Sequence, residues 1–161
     1  MAEHFHDMEA VYPHYRLIEE GAEVHFVGGG EESYTGKYGY PVDVDRNVQD
    51  VGAGDYDAVV IPGGWAPDMM RRVPAMIEFV AEMNRSGKLI AGICHAGWVL
   101  ASAGAVEGRT VTSFFAIRDD LANAGARWVD EEVVVDGNLV TSRKPDDLPA
   151  FCRAIIAQLS R

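Results

Sequence analysis

Apolar positions along the chain follow two alternating periods. Met8, Val11, Tyr12, Tyr15 and Ile18 recur at helical spacing between Asp7, a suitable N-cap, and Gly21, a suitable helix end. Glu23 to Val27 alternates polar and apolar as a strand does, and Gly28-Gly29-Gly30 ends it. That glycine run lacks the spacing and following helix of a dinucleotide fingerprint and reads as a loop. Between Ser33 and Val51, Tyr34-Thr35 and Val42 to Val44 surround Gly36, Gly39 and Pro41, which predicts a small hairpin excursion. Ala58-Val59-Val60-Ile61 is continuous and mostly β-branched, the pattern of a parallel strand covered on both faces. It runs into Pro62-Gly63-Gly64-Trp65-Ala66-Pro67-Asp68, where glycines either turn the chain or let backbone approach a ligand. Met76, Ile77, Phe79, Val80 and Met83 predict a helix over Pro74 to Arg85, closed by Gly87.

The stretch from Leu89 to Ser102 organises the rest. An apolar run of strand length meets Gly92, and an amphipathic helical pattern follows, so Cys94 falls on the turn between them. Such a turn exposes its central side chain and aims the free N–H groups of the new helix at it, which favours thiolate over thiol. Cys94 is thus a candidate nucleophile. Downstream, Arg109 to Thr112 reads as a strand and Ile117 to Ala124 as a short helix ended by Gly125. Glu132 to Val135 and Leu139 to Ser142 flank Asp136-Gly137, a strong hairpin signal. Leu148 to Leu159 forms the last helix, with Cys152 in its apolar stripe as a core residue. Strands alternating with helices predict a doubly wound α/β sandwich over residues 1–161 as a single domain, its ligand site at the carboxyl ends of the central strands. Gly63, Gly64 and Cys94 occupy such ends.

Composition narrows the chemistry. The 161 residues contain no apolar run long enough to span a bilayer, and the opening heptapeptide Met-Ala-Glu-His-Phe-His-Asp has no secretory pattern. Two cysteines, Cys94 and Cys152, make neither a disulfide framework nor a cysteine-based zinc motif, which fits a reducing, cytoplasmic setting. A formal net charge of −11 without a basic patch argues against nucleic-acid and membrane partners and for a small or neutral one. Among the histidines, His4, His6, His14, His25 and His95, none follows Cys94 except its neighbour. Glutamine amidotransferases of class I and papain-type peptidases both take a base from a downstream histidine, so both are disfavoured. His95, a distant carboxylate, or both remain to assist the sulfur. Glu9, in the first turn of the first helix, reads locally as a complement to the helix dipole.

The ordered set of Glu9 four residues before Pro13, Pro62-Gly63-Gly64, Ala-Gly-Ile-Cys-His at residues 91 to 95, and Ala124 to Asp130 resembles the ThiJ/PfpI superfamily, particularly its branch of intracellular peptidase-like proteins and protein deglycases. The resemblance implies a flavodoxin-like sandwich that assembles as dimers or higher oligomers, and a cysteine nucleophile needing no metal or organic cofactor. It assigns Cys94 as nucleophile, Glu9 as the carboxylate sharing a proton with it, the Gly64 and His95 amides as oxyanion hole, and Asp68 of a neighbouring subunit as a group orienting His95. Locally, Asp68 reads equally as a helix cap after Pro67. The chain departs from the family pattern at Ala96, where glycine is common and a methyl group narrows the pocket, and at His6, where an acidic residue is common and the local reading is an exposed terminal side chain. Met1 to His4 also stands where an apolar central strand is usual. Its loss leaves two neighbouring strands with unpaired backbone groups. Either the sequence begins short of that strand or another part of the assembly supplies it.

The expected function is a cysteine-dependent enzyme for reactive carbonyls such as methylglyoxal, or for their adducts on an amine or thiol. An intracellular cysteine peptidase and a redox-sensing, stress-protective protein are the alternatives, because all three need the same activated thiol.

Overall fold

The computed structural model describes residues 1–160. Helix α1 (Asp7–Glu19) leads to strand β1 (Val27–Gly28), the hairpin β2 (Ser33–Thr35) and β3 (Pro41–Asp43), and then β4 (Arg46–Asn47). Strand β5 (Ala58–Ile61), helices α2 (Ala66–Met70) and α3 (Pro74–Arg85), strand β6 (Leu89–Ile93) and helix α4 (Gly97–Ser102) form the middle of the chain. The remainder is β7 (Thr110–Val111), α5 (Arg118–Asn123), β8 (Arg127–Trp128), β9 (Val133–Asp136), β10 (Leu139–Ser142) and α6 (Leu148–Leu159).

The central sheet has four strands in the order β5-β6-β10-β9. The first three run parallel, and β9 joins antiparallel through Asp136-Gly137, where Gly137 takes φ 61°. Parallel strands need both faces covered, and the helices supply this. α6 packs on β6 and β10 with α1 beside it, while α3 covers β5 and β6 from the other face. Ile90 and Ile93 of β6, on opposite faces of the sheet, are fully buried, as are Met83 of α3 and Phe151 of α6. The helix read over Pro74–Arg85 forms over those residues, because Pro74 presets its first turn and Phe79, Val80 and Met83 point one way into the core.

Several elements differ from the sequence reading. His6, not Asp7, occupies the N-cap position of α1, and it makes no side-chain cap bond. The Asp7 carboxylate instead accepts the Tyr38 and Tyr40 amides at 3.0 and 2.8 Å, clamping the loop that follows β2. Only Val27 of the expected Glu23–Val27 strand joins a ladder, where it and Gly28 pair parallel with Arg46–Asn47. β4 and β8 arise where no element was expected, and the helix that Asp68 was read to cap begins at Ala66, with Asp68 inside its first turn. The elements are those of an α/β doubly wound fold, but β1–β4 and β7–β8 are separate two-stranded ladders beside the central sheet.

Candidate active site

β6 is buried along its whole length and ends at Ile93, after which Cys94–Ala96 makes one tight turn into α4. Cys94 sits at φ 62°, the left-handed region that a side chain other than glycine's adopts at a cost of order 1–3 kcal/mol. The Phe114 amide, donating to the Cys94 carbonyl at 3.3 Å, helps hold that conformation. Gly92 makes the turn possible from below, since a Cβ there would lie 2.9 Å from Leu100 Cδ1 and 3.2 Å from Ala96 Cβ. Ala96 therefore points into this packing and is fully buried. The expectation that its methyl narrows the pocket is corrected accordingly.

Three residues converge on the sulfur. The backbone amides of Gly64 and His95 donate to it, and His95 Nδ1 lies 3.2 Å from Sγ. The Glu9 carboxyl, wholly buried on the first helical turn, engages it from the side. Glu9 Oε2 accepts the Gly63 amide at 2.8 Å, whereas Oε1 has no partner of full hydrogen-bond geometry. Glu9 is thus no exposed complement to a helix dipole: a proton on Oε1 gives that orphaned oxygen something to donate. His95 stacks on Phe114, with ring centroids 5.1 Å apart, and meets Trp98 edge-on.

Burial sets the electrostatics. It raises the Glu9 carboxyl to about 7, against the Gly63 amide, Cys94 and Lys37, which pull it down. Burial, followed by the charge of Glu9, pushes the Cys94 thiol up to about 12, against the Gly64 and His95 amides. The turn alone therefore does not lower the thiol as the sequence reading expected. The two values belong to the pair. One proton leaves near pH 7 and the second only near pH 12, so in between one charge and one proton are shared. Burial lowers His95 too, with Lys37 as the smaller cause, so its imidazole is neutral at neutral pH.

This arrangement has a consequence for stability. The folded Glu9–Cys94 pair gives up its first proton near pH 7 and an ordinary carboxyl does so near 4.5, so the folded chain keeps this proton longer. The resulting stabilisation is complete below about pH 4.5 and is lost as pH rises through about 7, by about 3 kcal/mol. Urea unfolding should show wild type losing stability relative to Glu9→Gln between pH 5 and 8. Parallel pH profiles for the two proteins would contradict the buried carboxyl.

The structure brings Cys94, His95, Glu9 and Gly64 together but leaves Asp68 apart. Asp68 lies on the first turn of α2, about half exposed, and pairs with Arg72 of its own chain. His6, expected to be exposed, is buried, edge-on to Tyr38 at 5.4 Å, with its amide donating to the Gly63 carbonyl at 3.1 Å. Lys37 was not foreseen. Its amide donates to the Phe5 carbonyl at 2.9 Å, and its charge reaches Glu9, His6 and His95. No cluster of three metal-ligating side chains occurs among the described residues. No helix among them is long and apolar enough to cross a membrane.

The chain is 46% identical over 158 residues to a protein of Pyrococcus furiosus named Deglycase PfpI, covering 98% of this chain and 95% of that one. It is 41% identical over 155 residues to the putative cysteine protease YraA of Bacillus subtilis, covering 95% of this chain and 91% of that one. Among solved structures, Drosophila melanogaster DJ-1beta superposes with a TM-score of 0.91 at 31% identity, over 99% of this chain and 87% of that one. A protein of Anabaena variabilis with DJ-1/ThiJ/PfpI-like and ferritin-like domains superposes with a TM-score of 0.97 at 42% identity, over 99% of this chain, which spans 48% of that longer one. The family model described as DJ-1/PfpI matches residues 1–158. A cysteine at a strained strand-to-helix turn, with a buried glutamate beside it, thus occurs in a chain that belongs to the DJ-1/PfpI family.

Proposed function

We propose that the protein is a cysteine-dependent enzyme acting on reactive carbonyls, either a 2-oxoaldehyde such as methylglyoxal or its early adduct on an amine or thiol. The observation that carries this reading is the buried Glu9 carboxyl set against the Cys94 sulfur, with Oε1 free to carry a proton, because carbonyl addition needs a nucleophile and an acid at one carbon. Sulfur receives two amide donors and the carboxylate one, which supports the form with charge on sulfur and the proton on Glu9. The thiolate adds to the aldehyde carbon, and the new oxyanion takes the Gly64 and His95 amides and then the Glu9 proton. The carboxylate left behind removes the proton from that carbon to give an enediol. A proton then returns to the neighbouring carbon while the hydroxyl proton on the first oxygen is given up and the second oxygen keeps one, giving a thioester of lactate. Water then releases lactate and restores the thiol, so methylglyoxal and water become lactate with no redox partner. The relatives named deglycases support the carbonyl substrate class.

A second reading, a cysteine peptidase, is favoured by the 3.2 Å approach of His95 Nδ1 to Sγ and by the protease-named relative. Asp68 of a neighbouring subunit would orient His95 in that case. Exposed Met8, Tyr12, Tyr15 and Ile18 give α1 an apolar outer face that supports assembly into dimers or larger oligomers. Supplying methylglyoxal and a fluorogenic peptide to the same preparation separates the readings. Lactate without peptide cleavage supports the carbonyl enzyme, and peptide cleavage without lactate overturns it.

A further inference from the structure

The chemistry above leaves Lys37 unused. It stands in the turn between β2 and β3, where the Gly36 amide donates to the Tyr40 carbonyl at 2.8 Å and Gly39 takes φ 95°. The Asp7 carboxylate fixes that turn through the Tyr38 and Tyr40 amides. The turn is also tied to the oxyanion backbone. The Lys37 amide donates to the Phe5 carbonyl at 2.9 Å, and Phe5 bridges antiparallel to Gly64, whose own amide donates to the Cys94 sulfur. The approach is close, since a Cβ on Gly64 would lie 2.5 Å from the His6 nitrogen and 2.8 Å from the Phe5 carbonyl carbon. The exposed Lys37 ammonium lies 4.9 Å from the centroid of the Tyr38 ring, which itself meets His6 edge-on at 5.4 Å. No ion pair among the described residues includes it. Its charge acts on Glu9, His6 and His95 together. In a chain of net charge −11, which repels anions at long range, a cation left unpaired beside the nucleophile makes a local place for one.

We propose that Lys37 makes the site select carbonyl compounds that carry an anionic group, its ammonium receiving the carboxylate of a 2-oxoaldehyde while Cys94 attacks the aldehyde carbon. This rests on the carbonyl reading above and names a substrate class within it. A 2-oxoaldehyde with a carboxylate beyond its ketone places one end at the sulfur and the other toward the turn that carries Lys37. The bonds made and broken are those already described. Sulfur adds to the aldehyde carbon, that carbon's hydrogen is replaced by one on its neighbour, and water releases a 2-hydroxy acid bearing a second carboxylate, so water is the sole co-reactant. Lys37 makes and breaks no covalent bond. Its part is to pair with the charge that distinguishes this substrate from a neutral one.

Alkylation of Cys94 by iodoacetate and by iodoacetamide tests the charge at the sulfur without turnover, because the two reagents share a reacting carbon and differ in charge. Both rates are followed at the Cys94 peptide by mass spectrometry, in wild type, Lys37→Met and Lys37→Arg. Loss of the Lys37 charge also shifts Glu9, but that acts on both reagents alike and cancels in their ratio. The iodoacetate-to-iodoacetamide ratio should fall about fivefold in Lys37→Met, recover in Lys37→Arg, and shrink in wild type as salt is raised. For turnover, 4,5-dioxopentanoate, which carries a carboxylate, is compared with neutral methylglyoxal. Wild type should prefer the former in kcat/KM, and Lys37→Met should lose about tenfold of that preference, mainly through KM. Turnover of both compounds with the same preference in wild type and Lys37→Met, or an alkylation ratio that the substitution leaves unchanged, would overturn the proposal and leave the carbonyl reading standing. Absence of turnover with both compounds would overturn that reading, and the substrate class with it.

Discussion

Replacing Cys94 with serine should lower lactate formation from methylglyoxal by about a thousandfold or more while leaving the fold intact. Serine matches cysteine closely in size and accepts the same Gly64 and His95 amides, so the strained turn keeps its supports. Its hydroxyl, however, stays protonated across the working pH range, because the Glu9 carboxylate is far too weak a base to take its proton. Cys152→Ala provides the contrast. Cys152 is buried in α6 among apolar side chains, and burial raises its thiol to about 11, so it contributes packing and no charge. That variant should lose about 1–2 kcal/mol of stability and keep its turnover. Equal turnover in wild type and Cys94→Ser, or loss of turnover in Cys152→Ala at temperatures where it is folded, would contradict the assignment.

Gly63→Ala should be nearly as damaging, although the substitution adds one methyl group and replaces no side chain directly involved in the reaction. A Cβ at residue 63 would lie 2.7 Å from Cys94 Cβ, 2.7 Å from Glu9 Oε2 and 2.9 Å from the His95 nitrogen. Two of those atoms belong to the elbow itself, so the carboxylate and the sulfur must move apart. The expected result is a loss of turnover of about a hundredfold or more, with a stability loss of about 1–3 kcal/mol from overpacking. Gly54→Ala serves as control, because a Cβ there meets nothing within 4 Å and the backbone is not left-handed. It should fall within about 0.5 kcal/mol of wild type and retain activity. Full activity in Gly63→Ala would mean that the Glu9 to Cys94 contact is dispensable.

The parts of this fold that were legible in the sequence are those whose cause is local. Pro74 to Arg85 carries its own proline, period and closing glycine, and Cys94 is marked by the apolar run before it and Gly92 beneath it. Arg46–Asn47 and Arg127–Trp128 are too short for any period to show, and they become strands because a parallel neighbour passes alongside. Asp7 read as a cap because its local position allows one, yet its carboxylate is used by Tyr38 and Tyr40, far along the chain. His6 looked exposed for the same reason, since the loop that covers it lies beyond local reach. At the site, the strand-to-helix turn pointed to Cys94 and the glycines at a strand end to Gly64, Glu9 entered only through the family resemblance, and the balance of charge did not follow from any of them. Burial of the sulfur and then the charge of Glu9 beside it, both tertiary effects, raise the thiol where the turn alone would lower it. Lys37 carried no signal at all, because its influence depends on where its loop lies relative to the site.

The central claim is that Glu9 and Cys94 hold one proton between them at neutral pH, with the charge resting on sulfur. Thiolate ultraviolet absorbance followed against pH, in wild type, Glu9→Gln and Cys94→Ser, tests it most directly. The account predicts a thiolate signal in wild type that grows in with a midpoint near pH 7, is absent in Cys94→Ser and moves to higher pH in Glu9→Gln. A wild-type sulfur that stays protonated until pH 10 or above, with Glu9→Gln behaving identically, would contradict it.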